Sequence, residues 1–269
     1  MLMNLFFTLF IFVFGLVIGS FLNCLIYRFE TGGNFLKGRS FCPHCKHILA
    51  VKDLFPVFSF LFLKGKCRYC KKPISFQYPL VELFTGFLFV FIFNFVFSAG
   101  PFNFGSILYF LFLLIISCFL AVIFVFDLKH YLIPDKVVYP AIILAIIYTV
   151  SCFLFVINDF NLLIQHILSA FLAAAFFLLI VLVSRGRWMG IGDIKLAFLM
   201  GLVLGWPNIL VALFLAFFIG AIMGLGLISL KRKTLKSEIP FGPFLVFGTF
   251  FALFWGGRMI NWYLSLFMV

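Results

Sequence analysis

The stretch SILYFLFLLIISCFLAVIFVFDLKHYLIPD runs from Ser106 to Asp135. Residues 106–126 carry no charge, and as a helix rising about 1.5 Å per residue they reach roughly 30 Å, the thickness of a bilayer's hydrocarbon core. Backbone N–H and C=O groups in hydrocarbon must be bonded within the segment, which makes this run a transmembrane helix. Comparable runs recur at 4–27, 80–98, 137–157, 161–183, 194–206, 208–230 and 244–266. The sixth, 194–206, is short and stops at Gly205-Trp206-Pro207-Asn208, so it is expected to tilt or to form a hairpin with the seventh. The fold class is therefore an all-α polytopic membrane protein of about eight transmembrane helices. Composition agrees. Charged residues make up 10% of the chain, against about 25% in soluble domains. The forty-five Phe residues read as lipid contact and packing, with nothing to suggest a cofactor box.

The net charge of +12 raises nucleic acid as a partner, but its placement points elsewhere. Ten of the twenty Lys and Arg residues fall between Arg28 and Lys72. Lys129 and Lys136, then Arg185, Arg187 and Lys195, then Lys231, Arg232, Lys233 and Lys236 mark three further loops. Eight alternating spans put all of these on one side, leaving Arg258 toward the other. The positive-inside rule makes the basic side cytoplasmic and both chain ends external. Basic loops then report topology and contact with anionic lipid, and nucleic acid is not an expected partner. The opening MLMNLFFTLF lacks a basic leader region and a small-residue cleavage site, so it reads as a retained first span.

Three regions result: a first helix (1–27), a cytoplasmic loop domain (28–79) and a transmembrane core (80–269). The loop reads as one long polar segment and holds Cys42-Pro-His-Cys45 and Cys67-Arg-Tyr-Cys70, with twenty-one residues between the pairs. Two Cys-x-x-Cys turns can converge four thiolates on a tetrahedral structural zinc. Disulfides are disfavoured in the cytoplasm, and four sulfurs leave no open coordination position for catalysis. His44 and His47 read as exposed loop residues, and Cys24, Cys118 and Cys152 as packing residues within spans.

Eight acidic residues remain to be placed. Glu82, near the start of the second span, is expected to pair with a loop base or to cap its helix. Asp127 ends the third span, Asp135 opens the fourth after a turn containing Pro134, and Asp193 opens the sixth within RWMGIGDIKLAF. All three sit at one membrane boundary. Each would cost about 2.5–3.5 kcal/mol at mid-membrane, so function is the default explanation for a carboxylate there. Asp135 reads first as a helix cap or turn residue, and Asp193 alone would serve equally as a cap. Asp127 lies near a helix C-terminus, where the dipole disfavours negative charge, so capping explains it poorly. Two facing aspartates at one depth can divide labour: one ionised, taking a proton from water, the other protonated and polarising a carbonyl. Gly190 and Gly192 would let a backbone, of substrate or neighbouring helix, approach closely. Lys195 would steer the local field or meet headgroups. His130 reads as a solvated turn residue and His166 as structural.

These segments together resemble the type IV prepilin peptidases, membrane aspartic proteases of the GxGD class. The resemblance runs nearly end to end: GLVIGSFLNCLIYR (15–28), CPHC, PVFSFLFLKGKCRYCKKPISFQYPLVEL (56–83), DLKHYLIPD (127–135), MGIGDIKL (189–196) and IPFGPFL (239–245). It implies catalytic aspartates at Asp127 and Asp193 and zinc ligands at Cys42, Cys45, Cys67 and Cys70. It further implies an integral protein of the bacterial inner membrane that cleaves prepilin or pseudopilin leaders after a glycine at the cytoplasmic face. Methylation of the new N-terminus with S-adenosylmethionine is implied as well. Lys129 departs from the acidic residue that many members carry two places after the first aspartate. A proton-coupled transporter using the same carboxylates would show repeats with interrupted helices near mid-membrane, which the sequence does not display. A non-enzymatic assembly factor docking through the zinc loop would explain the cysteines and leave both aspartates idle.

Overall fold

The computed structural model describes residues 2–33, 38–98, 102–230 and 239–266. Lys37, the last basic loop from Lys231 to Lys236, and Glu238 lie outside the described residues. Helices dominate in chain order: α1 (Leu2–Thr31), α2 (Phe58–Phe62), α3 (Gln77–Phe97), α4 (Phe104–His130), α5 (Asp135–Cys152), α6 (Phe160–Ser184), α7 (Ile191–Leu204), α8 (Asn208–Ser229) and α9 (Gly242–Ser265). Among the described residues the only β-pairing is two isolated bridges, Phe41 with Ile48 and Lys66 with Pro73. The chain is an integral, multi-pass membrane protein: among the described residues seven helices are long and apolar enough to cross a bilayer.

All eight apolar runs are helical, but the sixth does not reach bilayer length. Helix α7 has 14 residues, or about 21 Å, against a hydrocarbon core of roughly 30 Å. Burial explains how so short a helix is tolerated. Leu196, Ala197, Leu199 and Met200 are fully buried, so protein and not lipid surrounds it.

The chain divides into two compact units, Met1–Cys118 and Phe119–Val269. In the first, α1 packs along α3. Small residues set the separation: a Cβ on Gly15 would lie 2.8 Å from the Cα of Gly86. Close backbone approach supplies dispersion contacts where lipid offers no hydrophobic driving force. The loop from Thr31 to Gln77 is less polar than its charge suggests. It contains the apolar helix α2, and Glu82 fastens it to α3. In place of a loop base, the buried Glu82 carboxylate accepts the Val57 N–H at 2.8 Å.

In the second unit α7 is central, packed along α6 and against α5 and α9, while α8 pairs with α9. The α6–α7 crossing is closest at Gly201, where a Cβ would fall 2.3 Å from the Cα of Ala170. His166 of α6 bonds the Leu202 carbonyl at 2.7 Å, which satisfies the C-terminal end of α7 and bears out its structural reading. Gly201→Ala is expected to lower the thermal unfolding midpoint in detergent by overpacking, at a cost of about 1–3 kcal/mol. Gly226→Ala, where a Cβ meets nothing within 4 Å, is the control expected to hold or raise that midpoint.

Candidate active site

Asp127 occupies the last turn of α4, and its carbonyl accepts the Tyr131 N–H at 2.9 Å. Tyr131 then turns into positive φ (57°), ending the helix and leading through Pro134 into α5. The Asp127 side chain is buried, at 4% exposure. Its Oδ2 accepts the Gly242 N–H at 2.9 Å. Gly242 is the first residue of α9, so the positive end of that helix faces the carboxylate. A side chain at 242 would push Asp127 aside, because its Cβ would lie 2.6 Å from Asp127 Oδ2. Sequence reading noted the FGP stretch and gave Gly242 no role.

Asp193 lies in the first turn of α7 and is also buried. Its Oδ2 reaches back to accept the Gly190 N–H at 3.1 Å. The capping contact expected of a lone aspartate is therefore present. It coexists with proximity to the other carboxylate, since Asp193 lies within electrostatic reach of Asp127.

The two glycines before Asp193 differ. A Cβ on Gly192 would come within 3.0 Å of Ile133 Cβ, so this glycine seats the turn that follows Asp127. A Cβ on Gly190 would meet nothing nearer than Asp193 Oδ2 and the Gly192 nitrogen at 3.9 Å, so no neighbour crowds this position. Asp135 does not cap α5 as first read. Pro134 holds the cap position, and Asp135 Oδ1 accepts from Lys195 Nζ at 2.6 Å. Lys195, expected to steer the field or meet headgroups, spans from α7 to α5 and also lies 5.0 Å over the Tyr139 ring. Ile133 on Gly192 and Asp135 with Lys195 thus join the two aspartate segments at two points. The pair is half exposed and adds little stability; its geometry fixes register. His130 packs against Phe126, ring centroids 4.6 Å apart.

The cysteine loop builds a separate candidate metal centre within the first unit. The Cys42 N–H bonds the His47 carbonyl, and the Lys46 N–H returns to the Cys42 carbonyl. The same bonds recur from Cys67 to Lys72 and from Lys71 to Cys67, with Lys46 and Lys71 both at positive φ. Two equivalent turns therefore present four sulfurs within 4.8 Å of one another, with Cys42 and Cys70 Sγ 3.9 Å apart. A tetrahedral zinc with Zn–S of about 2.3 Å needs sulfur–sulfur edges of roughly 3.8 Å, whereas a disulfide needs about 2.05 Å. The donor set fits a metal ion and is compatible with structural zinc.

Burial resists ionisation of Cys42, but the amides of Cys45 and His44 and the neighbouring thiols bring it down to about 7. The Lys72 amide favours a thiolate at Cys70, but burial and its three companions push it up to about 11. Four sulfurs thus compete for negative charge that a divalent cation would satisfy. His47, outside the sulfur set, packs on Tyr69 across the two turns, and Asp53 braces the second turn by accepting from Arg68 and Tyr69.

Residues 13–96, which include all four cysteines, match the bacterial peptidase A24 N-terminal domain. Residues 114–225, which include Asp127 and Asp193, match the type IV leader peptidase family. A prepilin leader peptidase/N-methyltransferase of Aeromonas hydrophila is 32% identical over 98% of this chain and 96% of its own. The chain belongs to the type IV leader peptidase family. Its relatives of the same description in Legionella pneumophila (32% identical; 95% of this chain, 94% of that one) and Bacillus subtilis (30%; 95% and 97%) are matched over nearly their whole lengths. No solved structure matches the chain at a significant level. Membership in a peptidase family makes the carboxylates, and not the closed sulfur set, the candidate active site.

If the four sulfurs hold zinc, the purified protein carries about one zinc per chain. Cys67→Ser loses it and Cys24→Ser keeps it, as read by metal analysis. Because such sites contribute on the order of 10–16 kcal/mol to small folds, chelation opens the loop to protease while the helices stay intact.

Proposed function

We propose that this protein removes the leader from type IV prepilins or pseudopilins, cutting after a glycine where the substrate helix meets the cytoplasmic face of the bacterial inner membrane. The observation that carries this reading is the pair of buried carboxylates, Asp127 and Asp193, within electrostatic reach of each other in a region matching a leader peptidase family. The flanking Lys129, Lys136, Arg185 and Arg187 support a cytoplasmic site by the positive-inside rule. The net charge of +12 is accounted for by topology and lipid contact, with no call for nucleic acid.

Like charges within electrostatic reach resist joint ionisation, and in this reading the working pair holds one proton between them. The ionised carboxylate takes a proton from water as the water oxygen attacks the scissile carbonyl carbon. The protonated one donates a hydrogen bond to the carbonyl oxygen as negative charge develops there. The tetrahedral intermediate collapses when the amide nitrogen takes a proton and the C–N bond breaks. The leader leaves with a new carboxylate, and the mature chain with a new amine. The amides of Gly242 and Gly190 hold Oδ2 of each aspartate, and Oδ1 of each performs the proton transfers. Gly190 gives the substrate backbone room beside Asp193.

The relatives' name also contains an N-methyltransferase activity. This reading extends to the product: the new N-terminal amine is methylated with S-adenosylmethionine as donor. The described residues contain no glycine turn between strand and helix that would cradle such a cofactor, so the chemistry assigned to named residues is hydrolysis.

Asp127→Asn and Asp193→Asn are each expected to lower leader cleavage by about 10²–10⁴-fold while the protein remains inserted. Gly242→Ala, which displaces Asp127 without removing it, is expected to cost about 10²-fold. Cleavage of a prepilin by membranes carrying each variant, followed by mass, checks both. Full processing by either Asn variant would sink the assignment.

A further inference from the structure

The loop between α1 and α3 carries an apolar surface used by neither the cysteine site nor the aspartate pair. Within LFPVFSFLF (54–62), Phe55, Phe58, Leu61 and Phe62 are exposed, Phe62 at 83%. Phe58, Leu61 and Phe62 stand at i, i+3 and i+4 and so share one face of α2. Phe60 turns the other way and packs on Phe76, ring centroids 5.3 Å apart.

Glu82 fixes where this face lies. Its carboxylate is 6% exposed and holds the Val57 N–H at 2.8 Å. Glu82 is about one and a half turns into α3, a 21-residue helix apolar enough to cross a membrane. The start of α2 is therefore fastened beside the second turn of a membrane helix, at the bilayer edge. Lys52, Lys64 and Lys66 flank the aromatic residues and are exposed to solvent. An apolar face with lysines around it is the composition of a segment lying in the interface of an anionic bilayer.

We propose that Phe55, Phe58, Leu61 and Phe62 insert at the acyl-chain boundary of an anionic lipid surface, with the Glu82–Val57 bond setting their depth. The cysteine loop is thereby held to the membrane by its own apolar face. This assignment stands apart from the catalytic reading and survives its failure.

The test uses the full-length protein in phosphatidylethanolamine/phosphatidylglycerol vesicles containing a phospholipid with a photoactivatable group at a shallow acyl position. Labelled residues are mapped by mass spectrometry, with hydroxyl-radical footprinting from the aqueous side in parallel. Phe58–Phe62 should take lipid label about as strongly as exposed Leu80 of α3 and resist the radicals. Oxidation of these residues without lipid label would overturn the proposal. Protection from both reagents would overturn it too, since another protein surface would then cover them. Phe58→Ser/Leu61→Ser/Phe62→Ser should lose label in the loop and keep it at Leu80, which reports that α3 is still inserted. In phosphatidylcholine vesicles label at Phe62 should fall with Leu80 unchanged; equal label there would refute the preference for anionic lipid.

Discussion

Two carboxylates at the edge of hydrocarbon must find polar partners without being neutralised by them, and amide N–H groups at helix starts meet that requirement. Asp127 takes the N–H of Gly242 at the head of α9, and Asp193 takes that of Gly190 at the head of α7. An amide donor stabilises an aspartate without fixing an ion pair to it, so its proton stays exchangeable. A lysine in the same place would hold the carboxylate ionised through the reaction. Lys195, two residues after Asp193, is engaged by Asp135 instead.

Much of the second unit follows from bringing those two helix starts together. Helix α7 is too short to span a bilayer and is surrounded by protein, so its N-terminus is positioned by neighbours and not by lipid thickness. Gly201 lets α6 close on its far half, while Ile133 on Gly192 and Asp135 with Lys195 join its first turn to the segment after Asp127. A Cβ at 242 would press on Asp127 Oδ2 and one at 192 on Ile133, so glycine at both lets these contacts form undisturbed.

Sequence alone showed the helices, the cysteine pairs and the candidate aspartates, because hydropathy, Cys-x-x-Cys spacing and costly charges are local signals. What it missed depends on partners far along the chain. Gly242 received no role because its acceptor lies 115 positions away. Asp135 looked like a cap because a capping aspartate and an ion-paired one are alike until the lysine 60 residues on is placed beside it. Residues 28–79 read as polar because lysines and cysteines dominated the segment, masking the apolar run from Leu54 to Phe62. Glu82 was assigned to a loop base or a helix cap for the same reason, its partner being a backbone N–H in that run.

The claim that the two aspartates share one catalytic proton is tested most directly by single-turnover leader cleavage measured across pH in reconstituted vesicles. A shared proton gives a bell-shaped profile. The rate falls on the acid side as the second carboxylate is protonated and the base is lost, and on the alkaline side as the shared proton leaves and the acid is lost. A profile that rises through a single ionisation and stays flat to high pH would show one carboxylate acting alone, and would contradict the paired mechanism.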